Sequence, residues 1–119
     1  MSSSITLYVA GPMTGIPEFN YPAFHDAAEQ LLDAGYLVLN PADTEDDNPT
    51  PGQPQPWEWY MRRALRQVTQ ADGIALLNGW QKSRGAHLEV TVARELSIPR
   101  HSVGYWIAYR DEIAAERAS

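Results

Sequence analysis

Residues 71–99 read ADGIALLNGWQKSRGAHLEVTVARELSIP, and this stretch decides the fold. The short apolar run at residues 73–77 follows a polar segment, which is typical of a buried parallel strand. A turn comes next, and Ser83 is a favourable N-cap residue for a helix. We therefore expect a helix over residues 84–96, with Pro99 preventing its continuation.

Glu89 departs from the amphipathic pattern of that helix. On a helical wheel with about 100° per residue it falls between Leu96 and Ala93 on the apolar side, with Gly85 close by. A buried charge is costly unless it has a partner, and a helix N-terminus favours an anion. The stretch therefore predicts an inward carboxylate beside open space at Gly85 and an anion site. The alternative is that Glu89 only caps its helix or pairs with a basic residue.

Length and composition limit the classes of protein that need to be considered. A chain of 119 residues is expected to form one domain, residues 1–119, around a single core. The net charge of −6 argues against a nucleic-acid partner but leaves a local anion site open. The absence of cysteine excludes disulfides, thiol catalysis and zinc–thiolate sites.

Targeting and metal-binding patterns are also missing from the sequence. No run is long enough for a membrane span and no signal-peptide pattern is present, so we expect a cytoplasmic protein without a membrane partner. The histidines at positions 25, 87 and 101 have no metal-ligand spacing, so we predict neither a metal site nor a cofactor.

The other segments complete an alternating order of strands and helices. Strands are predicted at residues 5–10, 36–39, 73–77 and 102–107, and helices at residues 22–34, 57–70 and 84–96. With right-handed crossovers, this order predicts an α/β fold. We expect a doubly wound parallel sheet of four to five strands, Rossmann-like or flavodoxin-like, in the order 2-1-3-4 with helices on both faces.

Two segments are less regular. Residues 44–56 hold three acidic residues, four prolines and a glycine, which predicts a Pro-rich acidic loop. A lid over the sheet edge is the alternative for this loop. Residues 108–119 are charged and alanine-rich, and we expect either a terminal helix or a frayed tail.

Ligands in doubly wound sheets bind at the carboxyl ends of the strands, where the strand order reverses. Here the reversal lies between the first and third strands. The Gly-Pro-Met-Thr-Gly turn at residues 11–15 and the segment at residues 78–89 would flank one crevice. The turn matches neither the Walker loop nor the dinucleotide fingerprint. The glycine-rich turn and the segment that contains Glu89 are thus predicted to lie at the same ligand-binding edge of the sheet. This coincidence favours a functional role for Glu89.

A set of ordered motifs carries a resemblance to a known family. The motifs are LYVAGPMTG at residues 7–15, Ala71-Asp72, Gly79-Trp80 and Ser83-x-Gly85-x-x-x-Glu89. Over residues 5–106 the chain resembles the nucleoside 2-deoxyribosyltransferase-like superfamily, and within it a small phage and prophage branch of uncharacterised function. The Ser-x-Gly-x-x-x-Glu spacing is similar to that of 2′-deoxynucleoside 5′-monophosphate N-glycosidases.

This resemblance implies roles for individual residues. Glu89 would be the nucleophile at the anomeric carbon of the sugar, and Tyr8 would orient its carboxylate. The remaining implied contacts go to the substrate: Ser83 with the amides of Gly85 and Ala86 to the 5′-phosphate, and Gly11, Pro12 and Met13 to base and sugar.

The chain departs from the superfamily at Ala64. Relatives usually carry an aspartate there, eight residues ahead of the Ala-Asp pair, and the leaving base needs a proton from a second acidic group. Either Asp43, which we also place among the substrate-binding residues, or Glu58 supplies the acid, or this copy is impaired.

The resemblance implies an N-glycosidase that hydrolyses the base–sugar bond of a (deoxy)nucleoside 5′-monophosphate. A covalent glycosyl-Glu89 intermediate is expected. Two alternatives stay open: a nucleotide-binding or sensing module without turnover, and a deoxyribosyltransferase that acts on free nucleosides. The superfamily often completes its sites across a dimer, which implies a homodimer or a higher homo-oligomer.

Overall fold

The computed structural model describes residues 4–43 and 47–118, and its centre is a parallel sheet of four strands. The strands are β1 (Thr6–Ala10), β2 (Leu37–Leu39), β3 (Gly73–Leu76) and β4 (Arg100–Ser102). They lie in the order β2-β1-β3-β4. Tyr8 pairs with Leu39 on one side and with Ile74 on the other, and Ala75 pairs with His101. The predicted strand order and parallel direction are therefore confirmed.

Helices cover both faces of this sheet, as predicted. They are α1 (Tyr21–Asp33), α2 (Trp57–Gln70), α3 (Arg84–Glu95), α4 (Val103–Ala108) and α5 (Arg110–Ala118). Successive side chains of a strand point to opposite faces. Leu7 and Val9 of β1 accordingly belong to one core cluster with α1, whereas Tyr8 and Ala10 belong to the other with α2 and α3. This alternation aims Tyr8 at the face that carries Glu89.

The fourth strand is the main correction to the predicted elements. We expected it at residues 102–107, but β4 ends at Ser102 and α4 occupies the rest of that run. Ser102 Oγ accepts a hydrogen bond from the Tyr105 amide at 3.1 Å and so caps α4. Trp106 is buried and its Nε1 donates to Ile74 O at 2.8 Å. The aromatic residues that suggested a strand therefore pack as a helix, because tertiary packing overrides their β-propensity.

The buried face of α3 is narrower than the wheel predicted. Ala86, Glu89, Val90 and Ala93 are buried, whereas Leu88 and Leu96 are exposed. Glu89 thus lies at one edge of the buried face, next to the exposed side, and not at its centre as the wheel predicted.

Two segments were predicted with alternatives, and the structure decides between them at the C-terminus. The C-terminal segment forms α5, so the helix rather than the frayed tail is found there. Residues 44–46 of the acidic loop lie outside the described residues, and residues 47–56 contain neither helix nor strand.

Candidate active site

A cleft of about 710 Å³ lies at the carboxyl edge of the sheet. Its walls come from β1 and the segment after it, the start of α1, the segment after β2, and the N-terminal parts of α2 and α3. Of the ten predicted site residues, eight line it: Tyr8, Gly11, Met13, Ala64, Ser83, Gly85, Ala86 and Glu89. Pro12 and Asp43 do not. The two stretches expected to flank one crevice therefore do meet.

Residues 78–81, which we predicted as part of the crevice wall, do not line the main cleft. Residues 78–81 line a second, smaller cavity of about 360 Å³ together with β4, instead of the main cleft. Within residues 78–89, the residues that line the main cleft are the N-cap Ser83 and three residues of α3: Gly85, Ala86 and Glu89.

Gly11 is needed where the chain leaves β1. A Cβ at this position would lie 2.7 Å from Leu77 Cβ, closer than side chains approach one another. Leu77 is fixed there because its amide donates to Ala10 O at 2.8 Å. The turn after β1 therefore lies directly against the end of β3, and a larger residue would force the two apart.

Glu89 and Tyr8 form the polar centre of the cleft. Tyr8 Oη donates a hydrogen bond to Glu89 Oε2 at 2.7 Å. Glu89 is 6% exposed and Tyr8 is fully buried. Among the described residues, Glu89 forms no ion pair with a basic side chain. The pairing with a basic residue that we considered as an alternative is therefore absent from this part of the chain.

Burial determines the protonation of this pair. Loss of solvent raises the pKa of Glu89 from 4.5 to about 8, while the hydrogen bond from Tyr8 acts in the opposite direction. Burial, with the nearby Glu89 carboxylate, raises the pKa of Tyr8 well above its usual range, so the phenol stays a donor. A carboxyl group with a pKa this close to neutrality is typical of catalytic sites.

Replacing Tyr8 by phenylalanine is expected to raise the pKa of Glu89 further. The variant loses the hydroxyl that stabilises the carboxylate but keeps the ring that buries it. A ¹³C NMR titration of the glutamate carboxyl carbons measures this directly. The matched control is Tyr36→Phe, because Tyr36 is also buried and donates to Trp106 O at 2.6 Å. An unchanged Glu89 titration in Tyr8→Phe would show that the hydrogen bond does not stabilise the charge.

The start of α3, where we predicted an anion site, lines one part of the cleft. Ser83 is the N-cap, and its Oγ accepts from the Ala86 amide at 3.2 Å. The other amides of a first helical turn have no intrahelical acceptors. The open space expected beside Gly85 is partly filled, because a Cβ there would lie 3.2 Å from Met61 Sδ. Gly85 nevertheless lines the cleft.

Neither alternative acid lies at the cleft. Ala64 is buried and lines it, as predicted for the position of the missing aspartate. The Asp43 side chain is 72% exposed, with Oδ1 3.9 Å from His25 Nδ1, and Glu58 is exposed on α2. Among the described residues that line the cleft, Glu89 carries the sole carboxyl group.

Arg63 is a cleft residue that the sequence analysis missed. It is buried, its Nε donates to Asp47 Oδ2 at 2.5 Å, and its other nitrogens donate to the carbonyl oxygens of Pro41 and Asp43. The guanidinium thus connects α2 to the N-terminal end of the acidic loop and to the residues just before it. The acidic residues of that loop indicate that a basic side chain could pair with it, but the sequence does not show which arginine does so.

The described part of the acidic loop forms a wall of the cleft. Asn48 is buried and organises it: its Oδ1 accepts from the Thr50 amide at 2.9 Å and from Gln55 Nε2 at 2.8 Å, and its Nδ2 donates to Gln53 O at 3.0 Å. Asn48, Gln53 and Gln55 line the cleft. This loop was predicted only as a solvated loop or a lid, and the cleft contacts of these residues had no signal in the sequence.

The described residues contain neither a metal-binding cluster nor a membrane-spanning helix. Residues 4–43 and 47–118 contain no group of three or more acidic or histidine side chains able to hold a metal ion. In the same ranges, no helix has the length and apolar character needed to cross a membrane.

Comparison with known families gives one match. A family profile described as a domain of unknown function (DUF4406) matches residues 5–100, a range that contains the whole sheet except the last two residues of β4. It also contains every cleft-lining residue. No curated protein matches the chain with significance. Since the profile covers most of the 119 residues, the chain belongs to the DUF4406 family.

Proposed function

We propose that the protein hydrolyses the N-glycosidic bond of a ribo- or deoxyribonucleoside 5′-monophosphate, with Glu89 as the nucleophile. The observation that carries this proposal is the buried Glu89 carboxyl, hydrogen-bonded to Tyr8 within a cleft of nucleotide size. The motif resemblance to the nucleoside 2-deoxyribosyltransferase-like superfamily, and to its 5′-monophosphate N-glycosidases, adds the substrate class.

The proposed reaction has two steps. An oxygen of the Glu89 carboxylate forms a bond to the anomeric carbon while the carbon–nitrogen bond breaks, and its electron pair leaves with the base. The departing base takes up a proton from water, because no second carboxyl group is among the described residues that line the cleft. A water oxygen then bonds to the anomeric carbon as the glycosyl ester breaks, which releases the sugar phosphate and a proton and regenerates the carboxylate. Tyr8 holds the attacking carboxylate in one orientation. Because the nucleophile must be ionised, kcat/KM is expected to rise with pH toward the Glu89 pKa of about 8.

The phosphate would lie at the start of α3. Ser83 and the first-turn amides provide hydrogen-bond donors, and the helix N-terminus favours negative charge. Lys82 and Arg84 flank the N-cap and add positive charge to a chain whose net charge is −6.

A nucleoside 5′-monophosphate is therefore expected to bind at least about tenfold more tightly than its nucleoside, since a charge-assisted contact is worth about 1.5–3 kcal/mol. Calorimetry on both ligands measures the ratio, and Ser83→Ala should reduce it. Ser102→Ala is the matched control, because Ser102 caps α4 in the same way. If the wild-type protein binds the monophosphate and the nucleoside with equal affinity, the proposed phosphate site is wrong and a deoxyribosyltransferase is favoured.

A nucleotide-binding or sensing module is the second candidate function. It is favoured by Ala64 and by the lack of a second carboxyl group among the described residues that line the cleft, because the leaving base then has no side-chain acid.

Chromatography for free base distinguishes the two functions. The protein is incubated with a panel of ribo- and deoxyribonucleoside monophosphates and the matching nucleosides. Base released from a monophosphate, and lost in Glu89→Gln, supports the glycosidase. Binding without release supports the module.

A further inference from the structure

The segment before α1 is held in an unfavourable backbone conformation. Glu18, Phe19 and Asn20 have φ angles of 57°, 53° and 60°, so three consecutive residues other than glycine are left-handed. Single left-handed residues are uncommon, and a bulky side chain such as phenylalanine is especially disfavoured there. Such conformations persist where the surrounding structure fixes them, and they cluster at ligand sites.

Hydrogen bonds fasten this turn to the segment after β1. Asn20 Nδ2 donates to Pro12 O at 2.9 Å, and the Phe19 amide donates to Ile16 O at 2.9 Å. Pro12, predicted as a contact to base and sugar, therefore acts from outside the cleft by anchoring this turn. The result is that Phe19 lines the cleft while its side chain is 59% exposed.

Apart from Tyr21, the other aromatic rings of the cleft already have partners or lie in the core. Tyr8 is bonded to Glu89, and Phe24 is fully buried in the core. Arg84 Cζ lies 3.9 Å from the centroid of the Trp57 ring. Tyr60 Oη accepts from the Gln55 amide, and its ring packs on Trp59 with centroids 5.0 Å apart.

Phe19 is the most exposed of these rings. Its ring centroid lies 6.1 Å from that of Tyr21 in a tilted arrangement, not a stacked one. A large apolar ring held in the open at a ligand cleft gains nothing for the fold, and its face suits another planar ring.

We propose that Phe19 is the stacking platform for the heteroaromatic base of the bound nucleotide. This proposal rests on the proposed function only in taking a nucleotide as the ligand. Stacking on an aromatic ring depends on the π-face that every base has, and is tolerant of base identity. Phe19 would therefore supply affinity for the base in general, with selectivity between bases left to polar contacts.

The test compares ligands that have a base with one that lacks it. Calorimetry uses 2′-deoxyadenosine and 2′-deoxycytidine 5′-monophosphates and 2-deoxyribose 5-phosphate, all in the Glu89→Gln background to prevent turnover. Phe19→Leu is expected to weaken the affinity for both nucleotides by roughly fivefold to 160-fold, the range that corresponds to base–aromatic stacking, and to leave the affinity for the sugar phosphate unchanged. Unchanged nucleotide affinity, or equal weakening of all three ligands, would overturn the platform.

The same titrations separate this proposal from the proposed function. Nucleotide binding that depends on Phe19, in a protein that releases no base, would overturn hydrolysis and leave the platform. No nucleotide binding to the wild-type protein at millimolar concentration would overturn both.

Melting temperatures test whether the left-handed backbone at Phe19 lowers the stability of the fold. Phe19→Gly and Glu18→Gly each place glycine at a left-handed position, so both are expected to raise the melting temperature. Glu18 does not line the cleft, so only Phe19→Gly should also lose nucleotide affinity. A melting temperature that falls in Phe19→Gly but rises in Glu18→Gly would show that Phe19 serves the fold instead of a ligand.

Discussion

Replacing Glu89 by glutamine is expected to lower base release by about three orders of magnitude or more, and to stabilise the fold at neutral and alkaline pH. The loss of activity follows because an amide cannot form the glycosyl ester. The gain in stability follows from the burial of this group: at 6% exposure, a carboxylate costs free energy that a neutral amide of the same shape avoids.

The pH range of this stabilisation can be derived from the pKa. The folded-state pKa of Glu89 is about 8, against 4.5 when the group is exposed in the unfolded chain. Between these values the folded protein holds a proton that the unfolded chain has released, so the Glu89 contribution to stability is full below pH 4.5 and is lost as pH rises toward 8. The free energy of unfolding then falls by up to about 1.4 kcal/mol per pH unit because of this one group.

Melting temperatures of the wild type and Glu89→Gln, recorded from pH 5 to pH 9, test this expectation. The two should be similar at pH 5, with the variant increasingly the more stable until about pH 8. For a domain of this size each kcal/mol corresponds to roughly 3–5 °C. Glu95→Gln is the matched control, since Glu95 is exposed on the same helix. A constant difference in melting temperature would mean that Glu89 is not buried as a neutral acid. Undiminished turnover would rule out the nucleophile role.

The alternation of apolar strands and amphipathic helices was sufficient to predict the sheet. Each strand is short, the two central strands β1 and β3 are mostly buried, each crossover contains one α-helix, and handedness leaves few ways to connect them. The bounds of α2 at Trp57 and Gln70 follow from apolar spacing alone. The inward position of Glu89 could be predicted for the same reason, because helical period fixes which side of α3 it occupies.

The elements that could not be predicted depend on contacts distant in sequence. Trp106 selects a helix over a strand through its bond to Ile74, 32 residues away. Arg63 is buried because carbonyl groups 20 and 22 positions earlier accept its hydrogen bonds, and Arg62 beside it is exposed. Leu88 and Leu96 are as apolar as the buried residues of α3, and only the position of the sheet decides which face is covered. The local sequence pattern determines the type and order of most helices and strands. Tertiary packing determines which of several similar side chains is buried.

Replacing Ala64 by aspartate is expected to increase base release by about 10²–10⁴-fold, the usual contribution of a positioned general acid. Ala64 is buried, lines the cleft and belongs to the core cluster that contains Tyr8, so a carboxyl group there would face the same space as Glu89. Burial and the like charge of Glu89 would both raise its pKa, and a proton donor has to be protonated at the working pH.

The control for this prediction is Ala64→Asn, which has nearly the same shape but no acidic proton. Both variants place a polar group in the core and are expected to lose a few kcal/mol of stability, with the smaller loss in the variant whose new group is better hydrogen-bonded. Base release and melting temperature are measured on the same samples.

Turnover that rises in Ala64→Asp and not in Ala64→Asn would identify a glycosidase that lacks its acid. Equal destabilisation without any gain in turnover would mean that the leaving base obtains its proton elsewhere, or that the cleft binds its nucleotide without cleaving it. Those two explanations are separated by the wild-type protein, because only the first predicts measurable base release that Glu89→Gln abolishes.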